Sequence, residues 1–250
     1  MLEALVAGGI GLGAASFLLV GAAIGWFVRV PVPIVAGVMA FGAGALISTL
    51  AYELVIEAND IGGLWPTISG FLLGAIIYVV ADLLLAQYGA RRRKRSMTAG
   101  EPQHPVSMTG AAVAFGAVLD GIPESLVLGL SIAQGGSVSI AILLAVAVSN
   151  IPEGLSSSAG MKDDGRSARY VFGVWSGIAV VSGIASLLGF VLLATAPVEV
   201  IAFVTTIAAG GILAMIANTM IPEAFAADRS FTGLWAALGF VLAFGLHELG

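Results

Sequence analysis

Residues 4–28 read ALVAGGIGLGAASFLLVGAAIGWFV, an unbroken run without a single charged side chain. A helix rises 1.5 Å per residue, so about 20 apolar residues cross the hydrocarbon core of a bilayer, and this run is long enough. Glu3 stands before it where a secretory leader would carry a basic cluster, and the run is too long for a leader core, so it reads as a first spanning helix.

The same pattern recurs along the chain. Charge-free stretches run from Val30 to Tyr52, Ile61 to Ala81, Pro102 to Leu119, Ser125 to Pro152, Tyr170 to Pro197, Val200 to Pro222 and Ser230 to His247. The Ser125–Pro152 stretch contains Gln134-Gly135-Gly136-Ser137, a turn signal, and divides there into two helices. The expectation is a single all-α polytopic membrane domain with eight transmembrane helices, over about 4–28, 33–56, 61–86, 109–131, 138–160, 170–194, 199–223 and 230–248. Composition agrees. Of the 250 residues 59% are hydrophobic and 10% charged, too few charges to coat a soluble domain of this length. The 34 glycines suit helices that pack closely in lipid, and the lack of cysteine excludes disulfides and thiolate chemistry.

The basic residues orient the eight helices. Arg29 falls between the first and second, Arg91, Arg92, Arg93, Lys94 and Arg95 between the third and fourth, Lys162, Arg166 and Arg169 between the fifth and sixth, and Arg229 between the seventh and eighth. All ten Lys and Arg therefore lie on one side, which the positive-inside rule makes cytoplasmic, with both termini on the non-cytoplasmic side. Glu57, Asp60, Glu199, His247 and Glu248 mark the opposite face. The long loop at 89–108 reads as a basic, cytoplasmic topology determinant and linker in which His104 is solvated.

Six acids fall within the predicted spans: Glu53, Asp82, Asp120, Glu124, Glu153 and Glu223. Each costs roughly 2.5–3.5 kcal/mol near the bilayer centre. No Lys or Arg lies at that depth, so either a proton or a cation from outside the sequence neutralises them. Asp82 sits near the cytoplasmic end of its helix, where solvation at the interface accounts for it as well as function does, and Glu53 near the outer end of its own, where headgroups or an acidic mouth account for it equally. The other four form a pattern. Ile122-Pro123-Glu124, Ile151-Pro152-Glu153 and Ile221-Pro222-Glu223 repeat one tripeptide on three helices. A proline inside a helix frees the carbonyl four residues earlier, here on Leu119, Val148 and Asn218, so each motif pairs a freed oxygen with a carboxylate. Hard and borderline cations take such oxygen ligands. Asp120 and Glu124 are four apart and share a helix face, Ser149 and Asn150 precede Glu153 by four and three residues, and Asn218 and Thr219 precede Glu223. Ser131 and Ser156 or Ser157 extend these stripes.

On these residues the chain resembles the ZIP (Zrt/Irt-like) metal transporters. Asp120-Gly121-Ile122-Pro123-Glu124-Ser125 looks like a variant of the family's His-Asn-x-Pro-Glu-Gly motif on helix four, and Ser149-Asn150-Ile151-Pro152-Glu153-Gly154 resembles its helix-five site. The resemblance implies eight helices with both termini outside, and transport of a divalent metal ion (zinc, iron or manganese) through an intramembrane site on helices four and five. It implies Asp120, Glu124 and Glu153 as primary ligands, Ser149 at the fourth motif position, Asn150 toward a neighbouring metal position, and Glu223 lining the path on helix seven. Asp120 replaces the family's histidine, Gly121 its asparagine, and 170–194 carries no carboxylate. An all-oxygen ligand set suits Mn²⁺ and Fe²⁺ as well as Zn²⁺.

The alternative is a proton-coupled carrier of a small organic solute, with the same acids as a proton relay. Catalysis has little support. His247 is the only histidine near a span, and Asp82 and Asp120 fall at different depths. The expected partners are the lipid bilayer of the cell (inner or plasma) membrane and a divalent cation as cargo, with no resident cofactor and no nucleic acid. A homodimer stays open.

Overall fold

The computed structural model of the protein describes residues 2–87, 110–135 and 140–249. The basic loop expected at 89–108 and its His104, and Gly136 and Ser137 of the expected turn, lie outside them. Among the described residues the chain forms eight helical rods: α1 (Leu2–Phe27), α2 (Val32–Gly62), α3 (Leu64–Gln87), α4 (Gly110–Gly135), α5 (Ile140–Asp163), α6 (Ala168–Leu193), α7 (Val198–Ala227) and α8 (Thr232–Leu249). All except α4 are long and apolar enough to cross a membrane, as in a polytopic integral membrane protein; in α4 the described apolar stretch is Gly121–Ala133.

The boundaries shift most between the second and third helices. The second helix runs past 56 to Gly62, and the third starts at Leu64, after Gly63 turns the chain with φ of 81°. Glu57 and Asp60 are thus helical residues rather than loop. The chain also departs from α geometry inside two rods. Leu50–Ile56 of α2 and Ile216–Met220 of α7 are π-helical, a wider coil often found at functional sites. Pro222 stands two residues after the end of the second, whereas α2 has no proline near its own, and α4 and α5 run through Pro123 and Pro152 without a π turn.

α2 and α7 are the inner rods, burying 67% and 61% of their apolar windows, while α3 and α8 bury 22% and 17% and present Leu, Ile and Val outward as lipid-facing helices do. The main core joins α2, α4, α5 and α7 around Leu46, Leu128, Ala145 and Ile216. A second core packs α1, α5 and α6 around Trp175, whose Nε1 donates to Ser158 Oγ at 2.8 Å.

The helix crossings reveal an internal repeat that composition hides. Where α2 crosses α8, a Cβ on Gly44 would run into the carbonyl of Ala236, and one on Gly239 into that of Phe41. Where α7 crosses α3, the same holds for Gly210 against Phe71 and Gly74 against Ile207. Residues of α7 thus stand 166 after their α2 counterparts (44 and 210, 41 and 207), and those of α8 stand 165 after their α3 counterparts (71 and 236, 74 and 239). α1 on α5 and α6 on α4 repeat the relation: Gly21 meets Ile151 and Gly154 meets Leu18, while Gly189 meets Leu126 and Gly129 meets Ser186. The shifts are 168 between α1 and α6 and 25 between α4 and α5. Burial follows the same register. Leu46, Leu50, Leu54 and Ala58 are buried, and so are their mates Ile212, Ile216, Met220 and Ala224. Both π segments begin at corresponding residues, 50 and 216. Helices α1–α3 therefore repeat as α6–α8, with α4 and α5 exchanged between them. Mates such as α2 and α7 run in opposite directions, so the repeat is inverted.

Candidate functional site

The two ends of the bundle differ in charge. At one end Lys162 Nζ donates to the Trp26 carbonyl at 2.5 Å and lies over the Trp26 ring, three residues before Arg29 in the chain, and Arg166 lies over the Tyr170 ring. At the other, Gly62 abuts Ala202 and Glu199, and His247 Nδ1 of α8 is 3.6 Å from Glu53 Oε1 of α2. These are the basic and acidic ends below.

Between them, α2, α4, α5 and α7 enclose a cavity with room for water-sized guests of about 30 Å³, enough for one or two waters or a partly hydrated ion. Glu124, Ser149, Pro152, Glu153, Ser156, Thr219 and Glu223 line it, with Met39, Met215 and Met220. Glu124 and Ser149 are 4% and 5% exposed, so the cavity brings carboxylates from three helices deep into the bundle. The lining residues of α2 and α7, and those of α5 from Pro152 on, lie in the half of each rod nearer the basic end, with Ser149 close to the middle of α5. On the other side of Glu124 a smaller cavity, about 10 Å³, is walled by Leu46, Leu50, Leu54, Val127, Ile142, Val146 and Ile212, with Thr49. That is the threshold for a single water among apolar walls. Glu124 alone lines both.

Of the residues singled out from sequence, Glu124, Ser149, Glu153 and Glu223 meet at the larger cavity, and Ser156, Ser157 and Thr219 join them. Asn150 turns aside: its Nδ2 donates to the Ala14 carbonyl at 3.1 Å, tying α5 to α1. Asn218 lies on the exposed side of α7, five residues before Glu223, where Thr219 at four residues shares its face. Ser149 Oγ donates to Val146 O at 2.9 Å, which leaves its lone pairs for a guest. The side chain of Asp120 lies outside the described part of α4. Among the described residues no three His, Asp or Glu side chains close on one point tightly enough to grip an ion as they stand. The three cavity methionines were not legible, because a buried Met reads as a gap-filler and nothing in its spacing separates the two roles.

Chemically the cavity offers carboxylate and hydroxyl oxygens with three thioether sulfurs, and no Lys or Arg among its lining residues. Such a set attracts cations and repels anions, and its borderline softness admits first-row divalent metals. No protein-family model matches the chain, and no curated protein matches it.

Proposed function

We propose that the protein carries a divalent metal cation (zinc, iron or manganese) across the membrane, by way of an intramembrane carboxylate site formed by Glu124 and Glu153 with Asp120 and Ser149, and with Glu223 along the path. The observation that carries this reading is the convergence of Glu124, Glu153 and Glu223, from α4, α5 and α7, on one cavity without a basic side chain. Carboxylates at membrane depth mark ion or proton paths, and a cation in the cavity offsets charges that would otherwise cost several kcal/mol. The inverted repeat supports a carrier, because such repeats are a common architecture of secondary transporters, with the site near the middle at the repeat interface. α4 and α5, which exchange under the repeat, supply all three primary carboxylates, Asp120, Glu124 and Glu153.

In this reading α4 is the eighth span, the basic end faces the cytoplasm, and both termini face outward. The likeness to ZIP transporters rests on the Pro-Glu motifs of α4 and α5 and on this topology. The cavity volume disfavours an organic solute, whose sites usually measure about 300 Å³ or more. Mn²⁺, Fe²⁺ or Zn²⁺ flux into proteoliposomes tests the reading: wild type should transport at least one, and Glu124→Gln with Glu153→Gln none. Sidedness is tested by single cysteines in a chain that has none of its own. Trp65→Cys, exposed at the acidic end, should label in intact cells, and Asp164→Cys only after permeabilisation. Labelling of Asp164→Cys from outside would reverse the orientation.

A further inference from the structure

The inverted repeat assigns a mate to each residue of the larger cavity, and the mates gather toward the acidic end. Met215, Thr219 and Glu223 of α7 correspond, 166 residues earlier, to Thr49, Glu53 and Glu57 of α2. Met39 of α2 corresponds to Thr205 of α7, and Ser156 of α5 to Ser131 of α4. Glu124 and Ser149, 25 apart, are mates of each other and stay in the lining under the exchange. We infer that Thr49, Glu53, Glu57, Thr205 and Ser131 line a second cation-binding cavity that reaches Glu124 from the acidic end and is collapsed in this structure.

Three independent features support it. Thr49 and Thr205 are 5% and 6% exposed, and their hydroxyls are buried without a hydrogen-bond partner. Leaving such a group unsatisfied is destabilising, and both stand at mates of cavity residues. A hydrated cavity would satisfy them. Next, the small apolar cavity already contains Thr49, Leu54, Val127 and Glu124, which are the mates of Met215, Met220, Pro152 and Ser149 in the larger one. It is the collapsed core of the second cavity. Last, the mouth is built for a cation and clasped. Glu53 and Glu57 are one turn apart on α2, and His247 of α8 approaches Glu53 at 3.6 Å, with its ring 5.8 Å from Tyr52. The apolar side chains Leu50, Ile142 and Ile212 seal the space below.

Only the identity of the guest rests on the reading of the protein as a metal carrier; the second cavity rests on the repeat. The test is thiol accessibility in the cysteine-free chain, with a charged, membrane-impermeant thiol reagent and with Trp65→Cys and Asp164→Cys as markers of the two ends. Thr49→Cys and Thr205→Cys should react from the acidic end at least tenfold faster than Thr206→Cys. Thr206 is fully buried, donates to the Ala202 carbonyl at 2.8 Å, and has in Ala40 a mate outside the cavity lining. Met39→Cys and Met215→Cys should react from the basic end. Zn²⁺ should slow the reaction at Thr49→Cys, and His247→Ala, which opens the clasp, should speed it severalfold. Threonine positions as inert as Thr206→Cys while Met39→Cys and Met215→Cys react would overturn the inference and leave the carrier reading intact. Reaction of Thr49→Cys only from the basic end, or silence at all four positions, would overturn it too. Labelling from the acidic end by a protein that moves no metal would keep the cavity and remove the metal as its guest.

Discussion

The two cavities that meet at Glu124 are walled by corresponding stretches of α2 and α7, yet one gathers three carboxylates and the other is shut by seven apolar side chains. The difference does not come from composition. Thr49, Glu53 and Glu57 on α2 are at least as polar as their mates Met215, Thr219 and Glu223 on α7. It comes from which side chains fill the space. Toward the acidic end Leu46, Leu50, Ile142 and Ile212 are packed into one core, and the polar stripe of α2 is left at its margin. Toward the basic end Met215, Thr219 and Glu223 of α7 line the larger cavity. One architecture thus holds two states of packing at once.

The same comparison separates the π segments from proline. Pro222 follows the π segment of α7, but α2 makes its own without one, and Pro123 and Pro152 sit in unbroken helix. Position in the repeat, not proline, governs where the backbone widens. Prolines still free carbonyls, and at Pro152 the freed oxygen is that of Val148, beside cavity residue Ser149.

The harshest way to break the comparison is at the crossings. Gly44→Val and Gly210→Val place side chains where the carbonyls of Ala236 and Phe71 already lie, and overpacking of this kind costs about 1–3 kcal/mol or more. Both should fail to give monodisperse protein or should melt well below wild type by thermal unfolding in detergent, to similar extents because the sites are mates. Gly13→Ala, where a Cβ meets nothing within 4 Å, should leave melting unchanged or raise it. A large effect at only one of the mated sites would weaken the repeat. Function should respond less steeply to the backbone. Pro152→Ala restores a donor for Val148 and should reduce metal flux several-fold in well-folded protein. Flux at the wild-type rate would reduce Pro152 to a packing feature. The smallest effect is expected at Asp82→Asn, which lies on peripheral α3 outside the lining of both cavities and should change flux less than twofold.

Much of this was legible in the sequence, and for physical reasons. Charge-free runs must be helices in lipid, so the rods could be counted; a Pro-Glu inside such a run is costly enough to mark Glu124, Glu153 and Glu223, which the fold brings to one cavity. What stayed hidden depends on which way a helix faces or how it ends. Asn150, three residues before Glu153, was read with it but donates to Ala14 on α1. Glu57 and Asp60 looked like loop because polar residues at a helix end carry no periodic signal, and Gly63 rather than a proline makes the turn. The repeat was invisible because its halves share glycine crossings and burial but few identical residues. Thr49 pairs with Met215 and Glu53 with Thr219.

The central claim is that Glu124 and Glu153 hold the transported cation together. Calorimetric titration of purified protein with Mn²⁺, Fe²⁺ and Zn²⁺ in turn tests it most directly. Wild type should bind at least one of them, less tightly as the pH falls, because protons compete for the same carboxylate oxygens. Glu124→Gln with Glu153→Gln keeps the shape of both side chains and removes both charges. It should weaken that binding on the order of 100-fold or more, since loss of outer-shell partners alone costs 10–100-fold. Binding of every metal at wild-type strength by the double variant would contradict the site, and with it the reading of the protein as a metal carrier.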